Sequence, residues 1–471
     1  MSFTRQRFLK TVLGAGAAFT GGCLGTRNAP PMRPARSAGR LRVALIGVGG
    51  QGLVNLRAVT DAADVAEPVA LCDVDETVLL AARDRVTPQT SKVRLYKDFR
   101  VLFDAERSLD AVFLSTPDHG HALQAVWALA AGCDLYIEPP AARTLGEVAR
   151  MRMLARQQGA LVQIGLRTAT GEAFCRALEI LDTGILGAVT VLHAWTNRPV
   201  WPQGNPRPEG SDIVPVGFDW DLWLGGAPTR PYISRVYHPF NWRGWHDFGT
   251  GALGDAGSDL LHLPFRALAL QAPVTIESET AVPQTGESFP RASRLRFTFA
   301  ARRRQPPVTL HWYDGGERPD AARLEPVTAA FGRLPDAGCL LIGSRGLWFT
   351  SGDPTPRHFL ALTGETSVRE MTRHPACRDV PQCLPRTASP QREFLDALRN
   401  GTPTLSDLEH TSALTACILT GCVAQRIPGR LTWQARRNRF VNHVAANSLV
   451  APVYREPWGE PENQIEERRT R

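Results

Sequence analysis

The residues best placed to do chemistry in this sequence are Gly47-Val48-Gly49-Gly50-Gln51-Gly52, with Asp73 about twenty residues beyond. Each glycine has its own use at that spacing. Gly47 permits a tight turn, Gly49 lets backbone approach a phosphate, and Gly52 lets a helix pack close to its strand. The N-terminus of such a helix offers free N–H groups and a partial positive charge to a pyrophosphate, with Gly50 and Gln51 at the same turn. An acid at Asp73 accepts both ribose hydroxyls and repels a 2′-phosphate. The expected cofactor is therefore NAD, with NADP the poorer fit. Asp75, the competing acid, suits a turn cap instead.

Such a motif has meaning only between a strand and a helix. Leu41 to Ile46 is an apolar run suited to a buried parallel strand, and Leu53 to Val59 has helical character. Pro68 to Cys72 makes a second strand that ends at Asp73, and Ala111 to Ser115 a third. A loop from Thr116 to His119 leads into a helix from His121 to Ala131. Leu135 to Ile137 and Leu161 to Ile164 supply further strands, with a helix from Thr144 to Gln158 between them. Strands alternating with helices imply an α/β fold, a Rossmann-type doubly wound parallel sheet.

The chain has 471 residues, room for two or three domains. Its net charge of +8 is concentrated: seven cations and no acid lie in residues 1–40, which leaves about +1 on the rest. The basic balance is therefore no argument for nucleic acid. Arg5-Gln6-Arg7-Phe8-Leu9-Lys10 followed by a short apolar stretch, Thr11 to Phe19, reads as an export signal. It resembles the twin-arginine type with Gln6 in place of the second arginine, and Thr20-Gly21-Gly22-Cys23 resembles a degenerate lipobox that would anchor a lipid at Cys23. Asn28 to Gly39, with three prolines, reads as a linker. The nine cysteines form no CxxC pair and no zinc spacing, so no metal is expected and most read as small core residues. A Cys377–Cys383 disulfide is a pairing the sequence allows but does not support.

Beyond the glycine motif, Ser115-Thr116-Pro117-Asp118-His119-Gly120-His121-Ala122, Ala194 to Pro199, Tyr237 to Trp245, His311 to Gly316 and Tyr454 to Trp458 resemble the Gfo/Idh/MocA oxidoreductases, an exported bacterial branch in particular. The resemblance implies a signal and linker over 1–40, a dinucleotide-binding domain over 41–167 and a second domain over 168–471. That second domain would be α+β, built on a large, open, mostly antiparallel sheet that covers the cofactor and supports a homo-oligomer. It further implies that Thr116, Pro117 and His121 lie beside the nicotinamide, that Glu138 contacts its ribose, and that the substrate is a sugar, polyol or glycoside.

The sequence departs from the family at two places. Where most members carry Glu-Lys-Pro this chain has Glu138-Pro139-Pro140, and Pro139 has no donor or proton to move. In Gly254-Asp255-Ala256-Gly257-Ser258-Asp259-Leu260-Leu261-His262 the family's catalytic histidine position holds Asp259, and His262 stands three residues on. On a helix, Asp255, Asp259 and His262 share a face; two carboxylates one turn apart raise one pKa, and His262 could stabilise the other. Together they would form a proton relay, or, on the blander reading, only cap and solvate a helix. His246 and the tryptophans between Trp195 and Trp245 are further candidates to line the pocket. Three functions stay open: an NAD-dependent oxidoreductase, a redox-neutral enzyme that processes glycosides through retained NAD, and a non-catalytic nucleotide- or sugar-binding relative.

Overall fold

The structure is a computed structural model that describes residues 39–86, 92–280, 286–302, 305–352, 356–459 and 465. The basic segment Arg5 to Lys10, most of the linker and Cys23 lie outside the described residues.

The first sheet contains six parallel strands: β1 (Leu41–Ile46), β2 (Ala66–Cys72), β3 (Arg94–Tyr96), β4 (Ala111–Leu114), β5 (Asp134–Ile137) and β6 (Val162–Ile164). Their order is β3-β2-β1-β4-β5-β6, so the winding reverses between β1 and β4. That reversal opens a crevice at the carboxyl ends of the two strands, where ligands of such sheets bind. β4 and β5 are buried at every position because helices cover both faces of the sheet. Helix starts follow local chemistry: Thr144 and Glu147 form a capping box ahead of Leu145–Gln158, and Asp75 caps Glu76–Arg83 by accepting from the Thr77 N–H.

The second sheet has ten strands: β7 (Val189–Trp195), β8 (Thr275–Ser278), β9 (Ser293–Phe299), β10 (Val308–Asp314), β11 (Gly338–Gly343), β12 (Gly346–Thr350), β13 (His358–Leu362), β14 (Arg369–Glu370), β15 (Leu431–Gln434) and β16 (Arg439–Phe440). The order is β14-β13-β12-β11-β7-β10-β9-β8-β15-β16. Only β7 and β10 pair in parallel; the other pairs are antiparallel. The α/β class and the mostly antiparallel second sheet are as expected from the sequence. One face packs on the helix Gly251–Ala267, with Phe265 edge-on to Phe299 at 5.6 Å. At the other face Phe331, from the helix Ala321–Phe331, meets Phe349 and Phe359.

Late segments return to the first sheet. Phe394, on the helix Pro390–Asn400, is fully buried edge-on against the stacked Phe113 and Tyr136 rings, at 5.5 and 5.8 Å. Seven cysteines are free and buried. Cys377 is one of them, so the disulfide with Cys383 does not form; its sulfur sits in the apolar core instead. Among the described residues, no helix is long and apolar enough to cross a membrane.

Candidate functional site

The glycine turn is built as its spacing requires. Gly47 has φ +79°, and a Cβ there would meet the Ser115 carbonyl at 2.8 Å. A Cβ on Gly52 would lie 1.9 Å from the Gly47 carbonyl oxygen, so only glycine lets the helix Gln51–Asp61 start so close to its strand. Gly50, with φ +48°, faces open space, which leaves the cradle free for phosphate oxygens. Asp73 accepts from the Val48 N–H at 2.9 Å and the Asp75 N–H at 3.0 Å, and desolvation raises its pKa above the ordinary carboxylate value.

From this turn a single cleft of about 660 Å³ runs towards the second sheet. Gly47, Gly49, Gly50, Gln51 and Asp73 line one end. Thr116, Pro117, His121, Glu138 and Pro139 line its middle, and Asp255 and Asp259 its far end. Gly52 packs beneath the turn. Thr116 Oγ1 donates to Gln124 at 2.8 Å. His121 lies between two carbonyls, Pro140 O at 3.0 Å and Thr116 O at 2.8 Å; burial lowers its pKa, so the neutral ring donates to one of them.

Two carboxyls in this cleft are tuned towards neutrality. Burial pushes Glu138 up to about 7, although Asn55 Nδ2 donates to it at 2.8 Å. Burial likewise pushes Asp118 up to about 7, against the opposing hydrogen bond from Thr250 Oγ1 at 2.6 Å. Asp118, expected in a loop, is the first residue of the helix Asp118–Ala130, and its burial against Thr250 is what marks it out. His119, beside it, is buried, with its pKa lowered to about 4 by desolvation, and its Nε2 lies 2.8 Å from the Trp223 carbonyl.

The helix Gly251–Ala267 brings Asp255 and Asp259 to the cleft. Their partners are arginines. Arg243 Nε lies 3.1 Å and Arg198 Nε 3.5 Å from Asp255, and Arg167 Nη2 lies 3.2 Å from Asp259. Sequence spacing could not show these pairs, because Arg167 and Arg198 come from distant segments and Arg243 from the turn ahead of the helix. His262 does not join the acids. It is 1% exposed, stacks on Phe174 at 4.8 Å, and burial lowers its pKa to about 3. The helical face shared by 255 and 259 has turned into the core one turn later. His246 also stands outside the cleft lining: it is buried against Phe289, with Nδ1 3.0 Å from the Gly286 carbonyl. Of the tryptophans, Trp223 and Trp242 reach the cleft, joined by Trp458 from the chain's end, while Trp195 is buried and donates to Pro335 O.

Fold and cleft together define a dinucleotide-binding protein with a second domain at the far end of the cleft. Residues 41–166 match the oxidoreductase family model described as an NAD-binding Rossmann fold, and residues 188–301 match the companion C-terminal alpha/beta domain. The chain belongs to the Gfo/Idh/MocA oxidoreductase family, and its cofactor is NAD. Inositol 2-dehydrogenase of Salmonella typhimurium is 26% identical over 154 residues, 32% of this chain and 45% of that protein. The glycosyl hydrolase family 109 protein of Stenotrophomonas maltophilia is 28% identical over 225 residues, 46% of this chain and 45% of that protein. The chain thus spans about half the length of these curated relatives. Among solved structures, aldose-aldose oxidoreductase from Caulobacter crescentus complexed with glycerol has a TM-score of 0.55 at 15% identity, covering 86% of this chain and 99% of that one. The WlbA dehydrogenase from Bordetella pertussis, in complex with NADH and UDP-GlcNAcA, has a TM-score of 0.56 at 15% identity, covering 84% and 99%. These two likenesses show the fold.

Proposed function

We propose that the protein is an exported NAD-dependent oxidoreductase acting on a hydroxyl of a sugar, polyol or glycoside, with an acid-based proton site in place of the usual lysine. The observation that carries this is the continuity of one cleft from the glycine turn to Asp255 and Asp259, with Asp118 buried between. Gly47, Gly49, Gly50, Gln51 and Asp73 would hold the dinucleotide, and NAD when bound supplies the hydride acceptor. Asp255 and Asp259, held by Arg198, Arg243 and Arg167, would orient the substrate hydroxyl. Asp118, with a pKa near neutrality, is the group suited to take up the hydroxyl proton. Pro139 lines the cleft where the family's lysine would stand and contributes shape alone.

A second reading is favoured by the similarity to a glycosyl hydrolase family 109 protein. On it, the same site oxidises a sugar hydroxyl, lets a glycosidic group leave and returns the hydride, with no net redox. Export as a folded, cofactor-loaded protein suits either reading, as would a lipid at Cys23 and a homo-oligomer formed through the second domain. The test is to purify the full chain, measure NADH binding, and follow reduced-cofactor absorbance with a panel of sugars and glycosides. Absence of nucleotide binding sinks both readings. Product without net NADH selects the redox-neutral cycle, and binding without turnover, indifferent to Asp255→Asn, makes the protein a non-catalytic relative.

A further inference from the structure

Beyond Asp255 and Asp259 the cleft meets a second pocket of about 490 Å³. The two share Arg167, Arg198, Asp255 and Asp259 in their linings, so a ligand at those residues can extend into both. The pocket's floor comes from β12 and β13. Register fixes its composition: Thr350 pairs with His358, and Trp348 lies two residues before Thr350, so all three share one face. Phe349 and Phe359 point the other way, against Phe331 of the covering helix.

These three side chains are unusual for a sheet interior. Trp348, Thr350 and His358 are 0%, 5% and 8% exposed, and the His358 ring stacks on Trp348 at 5.6 Å. Yet, among the described residues, the Trp348 indole N–H, the Thr350 hydroxyl and both His358 ring nitrogens have no hydrogen-bond partner. Burying polar atoms without partners is costly, and four such atoms on the floor of one pocket make a set that a ligand would complete. Their chemistry is mixed and uncharged. The indole only donates, the hydroxyl donates and accepts, and a neutral imidazole does one at each nitrogen. Burial holds His358 at a pKa of about 4, so the ring is neutral under ordinary conditions. The charged residues in the lining balance, with Arg167, Arg198 and Arg333 against Asp255, Asp259 and Asp336, so the pocket has no field that favours an anion. A sugar ring, whose hydroxyls each donate and accept, fits this set; a phosphate or carboxylate does not.

We propose that this pocket is a second-ring subsite, and that the ligand is a neutral glycoside of at least two rings. One ring presents its reacting hydroxyl at Asp255 and Asp259, and the other hydrogen-bonds to Trp348, Thr350 and His358. The proposal rests on the reading of the cleft as an NAD site that acts on sugars, and deepens it by setting ligand size and charge.

The test titrates the full chain, saturated with NADH, calorimetrically with glucose, galactose and N-acetylglucosamine, then with cellobiose, lactose and chitobiose, and with the anionic lactobionate. His358→Phe keeps a ring against Trp348 but removes both nitrogens, and Thr350→Val keeps the shape but removes the hydroxyl. At least one neutral disaccharide should bind about tenfold or more tighter than every monosaccharide, and either substitution should erase most of that advantage while leaving NADH affinity within about twofold. If NADH binds but no disaccharide is preferred, if lactobionate binds tightest, or if the preference survives both substitutions, the subsite is wrong and the cofactor cleft stands. If NADH does not bind, the cleft reading itself falls, and the subsite with it.

Discussion

Asp118 and His262 illustrate how burial, rather than residue type, assigns roles at this site. Asp118 lines the cleft with its carboxyl raised to about 7 by desolvation, so it changes charge in the range where an enzyme works. As a base it must be ionised, so turnover should rise with pH through a limb near 7. Asp118→Asn should lower turnover by on the order of a hundredfold and abolish that limb, with NADH binding retained; stopped-flow rates across pH 5–9 check this. His262 should behave in the opposite way. Its folded pKa is about 3, while the unfolded value is near 6.5. As pH falls below 6.5 the unfolded chain takes up a proton that the folded chain refuses, so stability is lost between those values. His262→Leu should remove that contribution and leave turnover unchanged, as read by denaturant unfolding at pH 7 and pH 5. A loss of turnover at constant stability would instead return His262 to the catalytic set.

At the scale of elements, the helix Pro390–Asn400 links the second half of the chain to the cofactor end. Its Gln391 donates to Asn55 at 2.8 Å, and Asn55 in turn donates to Glu138 and Ser115. A buried amide thus couples a late helix to the carboxyl beside Pro139. Phe394 anchors the helix against Phe113 and Tyr136, so Phe394→Ala should cost about 3–5 kcal/mol through the cavity it leaves. Urea unfolding measures that loss, and NADH affinity should weaken with it because Glu138 loses its support. The parallel strands were readable from their apolar runs, but the helix Asp118–Ala130 begins three residues before the expected His121. Asp118 and His119 look like loop residues in sequence because polar groups usually face water; here a neighbouring domain covers them. The short strand Arg94–Tyr96 has no counterpart in the sequence reading, since three residues, none of them fully buried, carry no periodicity to detect.

For the molecule as a whole, cofactor binding joins the two halves, because the cleft draws its walls from residues as far apart as Gly47 and Trp458. A ligand that binds only the folded form stabilises it by mass action. NADH at a hundred times its Kd should therefore raise the unfolding free energy by about 2.7 kcal/mol, a shift that differential scanning calorimetry resolves. Independence of the unfolding midpoint from NADH would contradict the assigned cofactor site.

The sequence by itself determined the nucleotide end, because that end is local. One turn, one helix start and one strand-terminal acid lie within about thirty residues, and only glycine fits the turn at Gly47 and Gly52. The same local reading singled out Pro139 and Asp259 as positions to examine. Only the tertiary structure decided what surrounds them. It clamped Asp255 and Asp259 with arginines from three separate segments, turned His262 into the core beside Phe174, and raised Asp118 towards neutrality by covering it. Charge pairing and desolvation depend on which distant groups share a low-dielectric space, and spacing along a chain does not encode that.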